Sequence, residues 1–190
     1  MALPAKKERY TFADCLDWGE DERIELVSGE AVMMAPPSRV HQKISGEIFR
    51  QLANYLEGKK CEVYSAPFGV RLFEQAGDAP EDVDTMVEPD ISVVCDRSKL
   101  DEHGCKGAPD LVVEVLSPSS LRHDQLVKLG LYQRAGVREY WIVNPEDKTI
   151  RVMLLNSGIL QPHEVYTRSD IARVNVLEGC FVDMGKVFFE

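Results

Sequence analysis

The sequence lacks the features that mark membrane and secreted proteins. No run approaches the ~18 consecutive apolar residues that a membrane-spanning helix needs. The stretch MALPAKKERYTF has no apolar core, so we expect no secretory signal. Cysteine is scarce and no CxxC pair occurs; the five cysteines are Cys15, Cys61, Cys95, Cys105 and Cys180. Their odd number and wide spacing predict free thiols in a cytoplasmic protein that has no membrane partner.

Positive charge is also in short supply. The chain has 22 Lys and Arg residues against 32 Asp and Glu residues, a net charge of −10. Proteins that bind nucleic acid without sequence preference are usually basic, because phosphate neutralisation supplies most of that affinity. The charge therefore counts against a broad phosphate-binding surface. No GxGxxG, P-loop or GxSxG motif is present to suggest another chemistry.

The remaining pattern predicts one domain over residues 1–190 with mixed secondary structure. A chain of this length with 44% hydrophobic residues can bury one sizeable core. Residues 1–9 are expected to form a loose tail, and residues 75–87 an exposed, mobile acidic loop. We expect an α/β or α+β fold in which helices flank a mixed sheet, with additional antiparallel strands towards the C-terminus.

Two periodicities place the helices and strands. Apolar residues four apart predict a buried helix that Ser38 caps and that ends near Gly58; they are Val40, Ile44, Ile48, Leu52 and Leu56. Short apolar runs bounded by turn residues predict a hairpin over 24–34 that turns at Ser28-Gly29. Similar runs predict strands near 61–64, 69–73, 91–95, 111–116, 139–143, 149–155 and 159–166. The segments 171–176 and 182–189 are expected to form an edge strand and a short terminal element.

The oddest residue is Glu114, an acid in the middle of the apolar run LVVEVL. Burying an unpaired carboxylate is costly, so Glu114 needs a partner, and a cation is the natural one. Asp90 stands at the start of the run 91–95, which is introduced by Pro-Asp like the run of Glu114. If the two strands are neighbours, both carboxylates converge on one point and suggest a divalent-metal site.

A helix is predicted directly after this strand. Ser117-Pro118 is typical of a helix start, and Gly136 follows the last helical position. Asp124, Lys128 and Tyr132 are spaced by four residues and share one face of that helix. The connection would carry Lys128 back over the strand that bears Glu114.

These motifs resemble the PD-(D/E)XK nuclease superfamily. In its usual pattern the lysine stands two residues after the glutamate, where this chain has Leu116. Some branches carry the lysine on the following helix, as Lys128 would be. The strings PDISVV, GAPDLVVEVLSPSS and GVREYWIVNP are similar to the bacterial restriction-endonuclease-like family called Uma-two, from about Tyr10 to the end of the chain.

The resemblance implies a metal-dependent nuclease that hydrolyses phosphodiester bonds. Asp90, Glu114 and the main-chain carbonyl of Val115 would hold Mg²⁺ or Mn²⁺, and Lys128 would orient the attacking water or stabilise the transition state. His41, in the pair His41-Gln42, would line the site. Glu47, Asp124 and Tyr132 are auxiliary candidates. The implied partner is nucleic acid, DNA in preference to RNA.

Each candidate also has a structural explanation. Asp90 could cap backbone amides in a turn, and Glu114 could form a buried salt bridge with an arginine such as Arg138. Lys128, His41 and Glu47 could be solvated helix residues.

The function of the whole chain also has alternative interpretations. The chain could be a catalytically inactive nuclease-fold domain that acts as an interaction or regulatory module, which the charge of −10 and Leu116 favour. A metal-dependent hydrolase of small phosphate esters would tolerate the acidic surface. The base rate of soluble oligomers and the apolar C-terminal strands predict a homodimer.

Overall fold

The structure is a computed structural model that describes residues 8–19, 23–117 and 123–188, with side chains of the third helix from Leu126 onwards. Its α-helices are α1 (Phe12–Cys15), α2 (Arg39–Leu56), α3 (His123–Ala135) and α4 (Met184–Val187). Two short 3₁₀ helices cover Pro80–Asp82 and Arg97–Lys99. The strands are β1 (Ile24–Val27), β2 (Glu30–Met33), β3 (Glu62–Ser65), β4 (Val70–Arg71), β5 (Ile91–Val94), β6 (Leu100–Asp101), β7 (Gly104–Lys106), β8 (Leu111–Val115), β9 (Glu139–Asn144), β10 (Thr149–Asn156), β11 (Ile159–Thr167), β12 (Ile171–Arg173) and β13 (Phe181–Asp183).

A six-stranded mixed sheet organises the molecule. Its order is β11-β10-β9-β8-β5-β3, and β8 and β9 run parallel while the other neighbours are antiparallel. The predicted fold class, a mixed sheet flanked by helices, is confirmed. Three small sheets accompany it: the hairpin β1-β2, the pair β12-β13 and the trio β4-β7-β6.

Each face of the large sheet carries its own apolar layer. Alternate residues of β8 point to opposite faces, so Leu111, Val113 and Val115 pack with α2 and the C-terminal segment. Val112 faces the other way and packs in a second cluster with α3 residues such as Leu131. Glu114 is two residues from Val112, so its side chain points to the same face of the sheet, the face that α3 covers.

Local sequence explains the two elements that frame the site. Ser38 caps α2 by accepting a hydrogen bond from the backbone N–H of His41 at 3.2 Å. The β1-β2 hairpin turns at Ser28 and Gly29, whose φ angles of 50° and 84° suit the tight turn that matches strand twist. Both elements lie where they were predicted. The predicted start of α3 at Ser117-Pro118 falls partly on residues 118–122, outside the described residues.

Several predictions need correction. Val40 is 46% exposed and does not belong to the buried stripe of α2. The segment 75–87 is not exposed throughout, because Val83 and residues 85–87 are buried and Met86 bridges to Leu26 of β1. Within the segment 171–176 only residues 171–173 form a strand, β12, and the segment 182–189 holds the end of β13 and the short helix α4.

The prediction that all cysteines are free thiols is wrong. Cys61 and Cys95 form a disulfide with an S–S distance of 2.07 Å, just beyond the paired residues Glu62 and Val94 of β3 and β5. Cys15, Cys105 and Cys180 are free, as predicted. Cysteine count and spacing missed the pair because the sheet brings together residues 34 positions apart.

None of the described helices combines the length and the apolar character that crossing a bilayer requires.

Candidate active site

Strand pairing brings Asp90 and Glu114 to the same end of the sheet. Ile91 of β5 pairs with Val113 of β8, so the residues that precede and follow this pair are neighbours. The Asp90 Oδ2 atom accepts a hydrogen bond of 2.7 Å from the backbone N–H of Val115. Asp90 therefore spans the two strands, and its carboxylate lies next to the residue that follows Glu114.

Glu114 is held by two side chains of α3. Lys128 Nζ lies 2.9 Å from Glu114 Oε1, and the hydroxyl of Tyr132 donates to the same oxygen at 2.5 Å. The side chains of Glu114 and Lys128 are only 12% and 16% exposed. The expected crossing of α3 over β8 is thus present. The alternative partner Arg138 instead pairs with Asp110 at 2.9 Å, so the proposed Arg138–Glu114 salt bridge is wrong.

A residue that sequence reasoning missed completes this cluster. Glu25 of β1 lies 2.9 Å from Lys128 Nζ through Oε1, and the same oxygen accepts the backbone N–H of Glu88 at 3.0 Å. Its flanking residues Ile24 and Leu26 are both buried. An acid between buried apolar strand residues is the signal that identified Glu114, and it would have identified Glu25 as well.

His41 approaches the carboxylates from the first turn of α2. Its Nε2 lies 3.1 Å from Asp90 Oδ2, and it also interacts with the main chain of Val115. Burial opposes the charge of the imidazole. The hydrogen bond to Asp90 and the negative charges of Asp90 and Glu114 outweigh that effect, so the pKa of His41 is raised above its ordinary value.

Burial also sets the protonation of the other groups. Desolvation, opposed by the charge of Lys128, raises the pKa of Glu114 to about 7, and the neighbouring carboxylates of Asp90 and Glu25 add to the rise. Burial lowers the pKa of Lys128, but the charges of Glu114 and Glu25 outweigh this and raise it above its ordinary value. Lys128 is therefore a permanent cation at neutral pH. Burial likewise raises the pKa of Tyr132, so its hydroxyl remains a donor.

Of the auxiliary candidates, Glu47 does not join the cluster. The carboxylate of Glu47 accepts from Arg50 Nε at 2.8 Å and from Gln51 Nε2 at 3.0 Å, on its own helix. Glu47 therefore forms an ion pair with Arg50 on the helix surface instead of lining the site. The side chain of Asp124 lies outside the described residues, so its predicted role stays a prediction.

A cleft opens beside Asp90 and His41. Its volume is about 150 Å³, and one wall is formed by α2 residues. Arg23 also lines the cleft and pairs with Glu88 at 3.3 Å. The cluster and the cleft thus combine four carboxyl groups with two permanent cations, Arg23 and Lys128, and one imidazole.

The candidate metal ligands are oxygen atoms from three residues. Asp90 and Glu114 would supply carboxylates, and Val115 would supply a main-chain carbonyl. No three His, Cys, Asp or Glu side chains in the described parts of the chain converge closely enough to hold a metal by themselves. Mg²⁺ keeps several waters and binds proteins through one or two carboxylates, so this donor set suits Mg²⁺ or Mn²⁺ and does not suit zinc.

Comparison with known proteins identifies the family. The model of the Uma2 family, described as "Putative restriction endonuclease", matches residues 12–185. The chain belongs to the Uma2 family. The resemblance drawn from PDISVV and GAPDLVVEVLSPSS is therefore confirmed.

Relatives of this Uma2 protein occur in cyanobacteria. "Uncharacterized protein slr1290" of Synechocystis sp. (strain ATCC 27184 / PCC 6803 / Kazusa) is 30% identical over 132 residues, 68% of this chain and 65% of that protein, just under two thirds of its length. "Uncharacterized protein sll1609" of the same organism is 23% identical over 149 residues, 76% of this chain and 80% of that protein.

A solved structure shares the fold. The crystal structure of "a putative nuclease belonging to DUF820" from Anabaena variabilis ATCC 29413 superposes with a TM-score of 0.73 at 18% identity. The likeness covers 94% of this chain and 97% of that chain. At this identity it shows that the Uma2 chain has a nuclease-like fold.

Proposed function

We propose that this Uma2 protein is a metal-dependent nuclease that hydrolyses phosphodiester bonds at the Asp90–Glu114–Lys128 cluster. The observation that supports this most directly is Glu114, a buried strand acid held by Lys128 and Tyr132 beside Asp90. Glu114 thus has a raised pKa and lies with a second carboxylate and a buried lysine beside a cleft. This combination is typical of catalytic sites.

The proposed metal is Mg²⁺ or Mn²⁺, held by Asp90, Glu114 and the Val115 carbonyl. Burial raises the pKa of Glu114 to about 7, and a divalent cation beside it would favour the ionised carboxylate. Such an ion supplies a coordinated water of lowered pKa and neutralises charge on the scissile phosphate.

The protein side chains have distinct proposed roles. Lys128 stays protonated, so it acts as a charge that stabilises the transition state and not as a base. Tyr132 positions Glu114, while His41, held by Asp90, faces the substrate from the cleft. In the reaction a water oxygen bonds to phosphorus and the bond to the 3′ oxygen breaks. The 3′ oxygen takes up the proton that the attacking water loses and leaves as a hydroxyl, and the other product carries a 5′-phosphate.

The finer parts of the proposal concern substrate, assembly and location. The restriction-endonuclease resemblance favours DNA over RNA. Exposed apolar residues on the C-terminal strands support a homodimer; they are Val165, Ile171 and Phe181. We also propose that the chain is one domain and cytoplasmic, although a disulfide such as Cys61–Cys95 is uncommon in that compartment.

A cleavage assay tests the proposal. Wild type should cut single-stranded DNA, duplex DNA or RNA in Mg²⁺ or Mn²⁺ and be inactive in EDTA. Glu114→Gln keeps the size but removes the charge and should lose cleavage by a factor of about 10² or more. Glu164→Gln, on the exposed strand β11, is the matched control and should retain activity. If wild type cuts none of the three, the nuclease proposal fails and the interaction-module alternative takes its place.

A further inference from the structure

The cleft beside Asp90 has features that the nuclease proposal does not use. It shares Asp90 and His41 with the carboxylate cluster, so anything bound there lies next to the proposed metal ligands. Its volume of about 150 Å³ equals that of a protein cavity known to admit benzene. One six-membered ring, the size of a pyrimidine base, therefore fits.

The α2 wall of the cleft carries an aromatic ring next to small and polar groups. Gln42, Ser45, Gly46 and Phe49 recur at intervals of three and four residues and therefore line one helix face. Phe49 is half-buried, so it is anchored in the core and still borders the cleft. A Cβ added at Gly46 would meet no atom within 4 Å, so the wall is open at that point.

Two buried polar atoms beside the cleft have no hydrogen-bond partner among the described residues. They are Arg23 Nε and His41 Nδ1, and only two other described side-chain atoms share this condition. Buried polar atoms without a partner are rare in native proteins and call for an explanation such as a missing ligand. Arg23 also lines the cleft, and its guanidinium is always a donor, so a group that binds it from the cleft must be an acceptor, such as a base carbonyl or a phosphate oxygen.

The net charge bears on which form of nucleic acid fits. A charge of −10 counts against a broad basic surface that tracks a duplex backbone, and so it favours affinity that comes from a few local cations and from contacts with bases. Bases in a duplex are stacked and paired and cannot enter a cleft the size of one ring without being extruded. Unpaired bases can stack on an aromatic side chain, which is how many single-strand binders gain affinity.

We propose that the cleft formed by Phe49, Gly46, Gln42 and Arg23 binds one unpaired nucleotide of a single-stranded nucleic acid, beside the scissile phosphate. The ring lies against Phe49, and the Gln42 amide offers a donor and an acceptor to its edge. Ser45 and Ser65, which also line the cleft, offer further hydroxyls, and Arg23 contacts a phosphate oxygen of the nucleotide. This rests on the proposed function in taking nucleic acid as the ligand, and it specifies a single strand as the substrate.

Binding in EDTA tests the cleft without requiring cleavage. Fluorescence anisotropy would compare labelled oligothymidylate with a duplex of equal length. Wild type should bind the single strand at least about tenfold more tightly than the duplex. Gly46→Leu fills the cleft and Phe49→Leu keeps apolar volume but removes the ring. Each should weaken single-strand binding about tenfold.

Gly130→Leu is the matched control, because Gly130 is also helical and also has no atom within 4 Å of an added Cβ. It should bind like wild type, and unfolding curves should show that all three variants are folded. Equal binding of single strand and duplex, no binding at all, or unchanged binding by both cleft variants would overturn the inference.

Those results separate the inference from the nuclease proposal. Cleavage of duplex DNA with no effect of the cleft variants would leave the nuclease intact and reject the single-strand pocket. Cleft-dependent binding without cleavage of any substrate would support the pocket and reject the nuclease.

Discussion

Lys128 and Lys106 show how burial decides the value of an ion pair. Each lysine bridges two carboxylates: Lys128 contacts Glu25 and Glu114, and Lys106 contacts Glu74 and Asp101. Lys128 is 16% exposed and Lys106 is 46% exposed. Solvent screens the contacts of Lys106. The carboxylates around Lys128 are buried, so water could not take the place of the lysine beside them.

Lys128→Met should therefore destabilise the fold strongly. The change leaves Glu25 and Glu114 buried without their cation, which costs about 3–5 kcal/mol of unfolding free energy. The matched variant Lys106→Met should cost less than about 1 kcal/mol. Urea unfolding at neutral pH measures both, and equal losses would show that Lys128 is not the cation on which the cluster depends.

The loss in Lys128→Met should also depend on pH. A carboxyl group whose pKa is raised on folding favours the folded state at low pH and loses that contribution as the pH rises through its folded-state pKa. The pKa of Glu114 is already about 7 through burial, with Lys128 lowering it, so removing Lys128 raises it further. Unfolding curves should show a larger loss at about pH 8 than at about pH 5, where the acid is neutral.

Sequence predicted some of these residues and not others for a physical reason. Glu114 and Lys128 are 14 residues apart within one strand–turn–helix unit, so local rules place them together. Glu25 meets Lys128 across 103 residues, and only the tertiary fold joins them. The role of Lys128 depends on both contacts, and local sequence patterns could predict only the contact with Glu114.

At the scale of elements, helix α2 shows where a simple period fails. Steps of four residues advance by about 40° on a helix of 3.6 residues per turn, so the four buried positions from Ile44 to Leu56 span about 120°, and Val40 lies about 100° from the middle of that span. His41 lies close to the middle by the same arithmetic. The inward position in the first turn thus belongs to His41, which is why Val40 is exposed and His41 reaches Asp90.

The edge strand β3 is held to β5 by a covalent bond as well as by its ladder. Cys61 and Cys95 close a loop of 34 residues, for which chain-entropy arguments give about 2–4 kcal/mol of stabilisation. The three free cysteines are shielded, since burial raises the pKa of Cys105 and Cys180 to about 11 and that of Cys15 to about 12. Few thiolates are therefore present at neutral pH.

Thiol titration should reveal this arrangement. At about pH 8 the folded, unreduced protein should react very slowly with a disulfide reagent, and the rate should rise about tenfold per pH unit because the thiolate is the nucleophile. The denatured protein should expose three thiols without reduction and five after it. A Cys61→Ser, Cys95→Ser double variant should give three in both cases. Five thiols in unreduced wild type would contradict the disulfide.

At the scale of the whole molecule, composition predicted the acidic character but not its distribution. The net charge follows from counting residues, whereas the gathering of four carboxyl groups at one end of the sheet needs the strand order. The mixed sheet itself was predictable, because short apolar runs indicate buried strands and one long amphipathic helix indicates a helix layer packed against them. The pairing of β8 with β5 and β9, which builds the site, depends on contacts that no local pattern encodes.

The distribution of charge makes a final prediction about salt. If one nucleotide enters the cleft and only about two phosphates are neutralised, the slope of log affinity against log salt for a single strand should be about −1 to −2. Arg23→Met should reduce the magnitude of that slope by about 0.7, because one phosphate contact is lost. Phe49→Leu should lower the affinity at every salt concentration and leave the slope unchanged, because a ring carries no charge. Oligothymidylate titrations across a sodium chloride series measure both quantities. A wild-type slope steeper than about −5 would mean that many cations contact the strand, and the cleft would then be a minor part of the binding surface.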